Sequence, residues 1–135
     1  MTGVQTCALP ILEAGADAIT AINTIPGMLI DARAGKPLLA NRVGGLSGWS
    51  IKPVALRCIA EIRQAVEVPI IGTGGITCGL DAAEMIMAGA DAVGIGTAVW
   101  ERGTQVFGQI CEELIQFMQQ AGYADLRSMK GVILR

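Results

Sequence analysis

In this chain of 135 residues, the residues whose types and spacing could do chemistry stand where short apolar runs end in glycine. Ile70-Ile71-Gly72-Thr73-Gly74-Gly75-Ile76 is one such junction, and Gly94-Ile95-Gly96-Thr97 is another. Gly74 and Gly75 lack a Cβ, so their backbone N–H groups can approach an anion closely, and a helix beginning near Asp81 would add its positive N-terminal end. The pattern suits a phosphate cradle or a plain tight connection from strand to helix. Asn23-Thr24 also follows an apolar run, at a position where barrel enzymes place ligand groups. Gly44-Gly45-Leu46-Ser47-Gly48 could cradle a flat ligand or merely turn the chain. Lys52, just beyond that loop, reads as a solvated charge.

The chain contains no histidine, which excludes Ser-His-Asp and Cys-His catalysis from within it. Cys7, Cys58, Cys78 and Cys111 form no C-x-x-C pair, so no zinc or other metal site is expected. They read as buried or incidental thiols in a reduced, cytoplasmic protein. A net charge of −2 leaves no basic face for nucleic acid. No apolar run approaches the ~20 residues needed to cross a bilayer, and Met1 to Ile11 lacks the pattern of a signal peptide. With 52% hydrophobic and 16% charged residues, the chain can bury a sizeable core as one domain.

The elements that must position these residues repeat. Ala14-Gly15-Ala16-Asp17-Ala18-Ile19 and Ala88-Gly89-Ala90-Asp91-Ala92-Val93 are near copies starting 74 residues apart. That interval holds two β/α units of ~35 to 40 residues, the repeat of a (β/α)8 barrel of ~250 residues. Strands are predicted over Ala16–Ile22, Val68–Ile71 and Ala92–Ile95. A helix over Pro53–Val66 buries Ala55, Ile59, Ile62 and Val66 and keeps Arg57, Glu61 and Arg63 on its wetter side. Asp81 to Glu84 has D-x-x-E capping spacing and opens a helix that Gly89 closes. Pro26–Asn41 reads as a hairpin or loop insertion. Gln105–Gln120 is a long helix with Val106, Ile110, Leu114, Phe117 and Met118 inward, stopped by Gly122. Leu126, Val132 and Ile133 suggest a last segment packing back onto the body.

Taken together, Ile22-Asn23-Thr24, Gly44-Gly45-Leu46-Ser47-Gly48 with Ile51-Lys52-Pro53, Ile70 to Ile76 and Gly94 to Thr97 resemble the class 1 dihydroorotate dehydrogenases, nearest their B subtype. The similarity runs from about Leu12 to Ile133 without an evident gap. It implies the C-terminal portion of a TIM barrel, spanning residues 12–135, with about three β/α units and a C-terminal helix. It also implies an FMN enzyme that oxidises dihydroorotate to orotate in pyrimidine synthesis. By resemblance Ile22 lies against the flavin, Asn23 and Thr24 bind the dihydroorotate ring, and Gly48 gives backbone contact to the flavin. Gly74, Gly75, Gly96 and Thr97 would bind the FMN phosphate. Implied partners are a second copy of the chain and a subunit with FAD and an iron–sulfur centre that passes electrons to NAD.

The departures are equally specific. The family's base cysteine and its flavin lysine belong to positions upstream of the matched stretch, so no catalytic residue is expected in this chain. Cys78 falls on the phosphate side by resemblance and is assigned no catalysis. Residues 1–11 show no helical apolar period and contain Pro10, and they read as a non-family segment resembling translated adaptor sequence before a gene cut near Leu12. The fragment is expected to lack turnover and to be weakly stable or oligomeric. The alternative reading is a phosphate-binding half barrel of a sugar-phosphate isomerase or synthase. Asn23-Thr24 and the loop at Gly44 to Gly48 argue against it, because a sugar phosphate needs no platform for a flat ring. A third reading is a non-catalytic protein that keeps only the fold.

Overall fold

The computed structural model describes residues 3–135, the side chains of Gln5 and Thr6 apart. The chain opens with helix α1 (Gly3–Glu13) and strand β1 (Ile19–Ala21). An insertion follows with strands β2 (Ile25–Gly27), β3 (Ile30–Asp31), β4 (Lys36–Pro37) and β5 (Gly44–Leu46). A 3-10 turn over Trp49–Ile51 leads into α2 (Lys52–Ala65), β6 (Ile70–Thr73), α3 (Gly79–Met87) and β7 (Ala92–Gly94). Helices α4 (Ala98–Arg102), α5 (Val106–Ala121) and α6 (Leu126–Met129) complete the body, with a last 3-10 turn over Val132–Leu134.

The three main strands form one parallel sheet in the order β1-β6-β7. Ile19 stands beside Ile70, and Ile71 beside Ala92, so the strands run in step and end at similar depth. Parallel strands need crossover helices, and α2 and α3 supply them, which makes this a mixed α/β fold. Ile70, Met85, Ala55 and Ile59 are fully buried between sheet and helices. Gly72 is where β6 meets α3: a Cβ there would overlap the Met85 side chain. In the insertion, β2 pairs antiparallel with β5 and the shorter β3–β4 ribbon nests inside it.

Several expectations need correction. Residues 3–13 are helical, and the apolar period is Val4, Ala8, Leu12, which packs on the main core with Ala8 fully enclosed. Pro10 sits inside that helix, where it costs a hydrogen bond that packing against α2 must offset. Met1 and Thr2 lie outside the described residues. Arg63 is not on a wet side: its guanidinium bonds the carbonyls of Gly89, Val66 and Val68 at 3.0, 3.2 and 2.9 Å and pairs with Asp91 at 2.8 Å. The terminal segment packs back through Met129, fully buried against Ala83 and Ile86, whereas Leu126 and Ile133 stay exposed. The sequence pattern could not separate these three apolar residues because the segment is too short to show a period.

The helix over 53–66 is found one residue earlier, and Ala55, Ile59, Ile62 and Val66 are buried as expected. Helix α5 buries Val106 and Ile110 and stops at Gly122, which adopts a left-handed conformation (φ 77°). The four cysteines are all free thiols, with Cys58 buried and Cys78 half-buried. Among the described residues no helix is long and apolar enough to cross a membrane, and no cluster of His, Cys, Asp or Glu is arranged to hold a metal.

Candidate functional site

The C-terminal ends of β1, β6 and β7 open onto one cleft of about 190 Å3. Ile22 and Thr24 reach it from beyond β1, and Ser47, Gly48 and Ile51 from the loop before α2. Thr73 to Ile76 line it after β6, and Gly94, Gly96 and Thr97 after β7. The parallel register brings these loops together, since strands that end in step release their loops at one level. Gly48 closes the ring: at φ +86°, a Cβ there would lie 3.4 Å from Thr97 Cγ2.

Of the expected site residues, Ile22, Thr24, Gly48, Gly74, Gly75, Gly96 and Thr97 meet in this cleft. Asn23 does not. It faces the larger apolar depression between α1 and β1, and its side-chain oxygen accepts the Thr24 N–H at 2.7 Å. Ser47, Ile51, Thr73, Ile76 and Gly94 also line the cleft, each quoted within a motif but assigned no role of its own. Their neighbourhood to the glycine motifs was the available signal.

The glycines differ in why they are glycine. Gly74 (φ +128°) and Gly75 (φ +78°) are in conformations unfavourable to L side chains, and both are hemmed in. A Cβ on Gly74 would come within 2.9 Å of Ala55 Cβ, and one on Gly75 within 2.8 Å of the Lys52 backbone. Gly96 has an ordinary negative φ and nothing within 4 Å of its Cβ position. Space at Gly96 is left open toward the cleft.

The cleft lining carries no charged side chain. Lys52 is not a solvated charge but an internal one, pairing with Asp81 Oδ1 at 2.6 Å and Glu84 Oε2 at 2.7 Å. Helix α3 also begins earlier than the D-x-x-E spacing suggested. Asp81 is its third residue, and its Oδ2 accepts the Thr77 N–H at 2.8 Å, the Thr77 hydroxyl at 2.7 Å and the Cys78 N–H at 3.1 Å. Glu113 on α5 takes the Gly79 N–H at 2.6 Å. Burial alone would raise the Asp81 pKa, but the hydrogen bonds from Lys52 and Thr77 outweigh it and hold the group at about 2.

These bonds correct the expectation for the helix terminus. Two carboxylates occupy the opening of α3, so that end offers no anion site. The free donors lie elsewhere. Among the described residues, the backbone N–H groups of Gly75, Gly96 and Thr97 have no protein acceptor, whereas the parallel pairing of Thr73 with Gly94 turns the Gly74 N–H toward the Gly94 carbonyl. Unpaired N–H groups on adjacent loops, an open Cβ position and a neutral lining fit a phosphate ester. The volume is below the ~300 Å3 at which a small-molecule pocket encloses its ligand, and is of a size for a phosphate group.

Fold and cleft together define an α/β protein that presents backbone donors for an anionic group at the ends of parallel strands. The chain belongs to the dihydroorotate dehydrogenase family, whose model matches residues 1–118. It is 48% identical over 118 residues to "Dihydroorotate dehydrogenase B (NAD(+)), catalytic subunit" of Methanosarcina mazei, covering 87% of this chain and 37% of that one. The protein of the same name from Pyrococcus abyssi is 39% identical over 135 residues, covering all of this chain and 45% of the relative. Among solved structures, a DHODH from Eimeria tenella in complex with ferulenol superposes with a TM-score of 0.80 at 30% identity, over 98% of this chain and 35% of that one. The chain thus spans less than half the length of these relatives. The sugar-phosphate isomerase or synthase alternative finds no support among them.

Proposed function

We propose that this chain is the FMN-phosphate-binding, C-terminal portion of a dihydroorotate dehydrogenase barrel. The observation that carries the reading is the set of unpaired N–H groups at Gly75, Gly96 and Thr97, on the loops after adjacent parallel strands. In TIM barrels those are the loops after strands seven and eight, where phosphates bind. The parallel order β1-β6-β7, with helices crossing between the strands, is compatible with the last three strands of such a barrel.

The residues divide the work by chemistry. The backbone N–H groups of Gly75, Gly96 and Thr97 can each give a charge-assisted hydrogen bond to phosphate oxygens, worth roughly 1.5–3 kcal/mol apiece, and Gly74 keeps the turn free of a side chain. Half-buried Ile22 gives an apolar surface for a flat ring, and Gly48 lets backbone approach it without a side chain. Thr24 offers a hydroxyl at the rim suited to orient dihydroorotate, while Asn23 faces the depression beside α1 and holds the Thr24 N–H through its side-chain oxygen. When bound, FMN would supply the hydride acceptor. No residue of this chain is assigned proton abstraction, and Cys78 is held at the start of α3, outside the cleft lining. Turnover therefore needs groups supplied by the rest of a complete enzyme.

That the relatives are named the catalytic subunit of an NAD(+)-linked enzyme supports a partner subunit in the full-length protein, and the family resemblance implies that this partner carries FAD and an iron–sulfur centre. A homodimer of catalytic subunits and a cytoplasmic setting belong to the same reading. The four free cysteines accord with the latter.

Titrating the purified chain with FMN and following flavin fluorescence tests the site. FMN should bind, Gly96→Asp should abolish binding through like charge, and Cys78→Ala should leave it unchanged. Dihydroorotate should not bleach the bound flavin. Bleaching with turnover by this chain alone, or unaltered binding to Gly96→Asp, would sink the reading.

A further inference from the structure

We infer that Arg102 is a positioning residue that sets the spacing between the Gly74-Gly75 and Gly96-Thr97 arms of the phosphate clamp, a deepening that rests on the proposed FMN site. Arg102 closes α4, the short helix that starts directly after Thr97. Its Nη1 donates to the carbonyl of Thr77 at 2.6 Å, two residues beyond Gly75. Its Nη2 donates to Glu113 Oε1 at 2.7 Å and to Gln109 Oε1 at 2.9 Å. The other oxygen of Glu113 takes the Gly79 N–H at 2.6 Å. One guanidinium thus binds the outgoing end of the first arm, while its own helix carries the second.

Thr77 shows that the contact constrains the loop. Its N–H and hydroxyl are fixed by Asp81 and its carbonyl by Arg102, so the peptide groups on either side of Thr77 are held from different elements. Gly75 rests against the Lys52 backbone at the other end of the turn. What remains adjustable is the distance from this turn to Gly96-Thr97, which lie six and five residues before Arg102 in sequence. The Arg102–Thr77 bond spans that gap directly. Its planar fork allows one side chain to serve the loop and α5 at once, which a lysine cannot do.

A clamp of the right width matters only for a ligand that touches both arms. FMN reaches them through its phosphate, whereas riboflavin carries the same ring and ends in a hydroxyl. Arg102→Met should therefore weaken FMN binding about tenfold, equivalent to ~1.4 kcal/mol, with riboflavin binding unchanged. Arg102→Lys should recover only part of the loss. Both ligands are titrated by fluorescence against the wild-type chain and the variants, with folding followed by circular dichroism. Unchanged FMN affinity in Arg102→Met overturns the proposal, and so does an equal loss for both ligands, which marks a purely structural residue. Should Arg102→Met not fold, Glu113→Gln is judged by the same criteria, since it weakens the grip on the same guanidinium. A wild-type chain that binds no FMN refutes the site reading itself and the positioning role with it, an outcome distinct from selective failure of the variant.

Discussion

Gly75 and Gly96 line the same cleft from the loops after neighbouring strands, and each answers a different physical demand. At Gly75 a side chain meets the Lys52 backbone and requires a positive φ, so Gly75→Ala should destabilise the fold by roughly 1–3 kcal/mol. At Gly96 a methyl enters open space, and Gly96→Ala should change stability by less than about 0.5 kcal/mol. Urea denaturation of the two variants measures this contrast, and equal losses would contradict it. The same variants separate folding from binding: Gly96→Ala should weaken FMN while remaining fully folded. The sequence made both glycines visible as the ends of apolar runs. It could not say that one is glycine for its neighbours and the other for the cleft, because that depends on what lies across from each Cβ.

The elements around the cleft are joined by charges drawn from distant parts of the chain. Lys52 opens α2, Asp81 lies in the first turn of α3, and their 2.6 Å bond ties the two helices under the glycine turn. The pKa of Asp81 is lowered from 3.8 to about 2 in the folded chain. A depressed carboxylate stabilises the fold above its unfolded pKa and loses that contribution as pH falls through the folded one. The Asp81 contribution should thus be complete above pH ~4 and fade toward pH ~2, amounting to roughly 1–2 kcal/mol once solvent screening is allowed for. Asp81→Asn should therefore cost more at pH 6 than at pH 2.5 when both proteins are unfolded in urea. A cost that does not change with pH would show that the carboxylate's charge is irrelevant. The D-x-x-E spacing did reveal α3, yet it placed the start late, because Asp81 bonds backward to Thr77 and Cys78 from within the first turn. Lys52 and Arg63 looked like surface charges, and Arg102 was not singled out, for a related reason. Their partners lie 29, 28 and 11 residues away, beyond any local pattern.

At the scale of the whole molecule, the parallel order of the strands was legible because the Ala14 and Ala88 copies repeat at the interval of two β/α units. Helix α1 was not, since Pro10 and a period built on the small Ala8 disguise its buried stripe. That helix packs on α2 and leaves an apolar depression beside β1, lined by Val4, Ile11, Ile19, Ala21 and Ile62. β1 is an edge of the parallel sheet, with no strand on its outer side among the described residues. The insertion adds further apolar surface, with Leu29, Ile30 and Leu38 each about two-thirds exposed. Open strand edges next to apolar surface invite pairing with another chain, and natural proteins suppress it with lysine at the edge. β1 carries none. The purified chain should self-associate, with a sedimentation coefficient that rises with concentration. Thr20→Lys places a charge on the exposed central residue of β1, so it should shift the protein toward monomer while leaving its circular dichroism intact. If the wild-type chain stays monomeric across the micromolar range, the open edge is not the site of association, and the apolar faces of α1 and the insertion are tolerated in water as they stand.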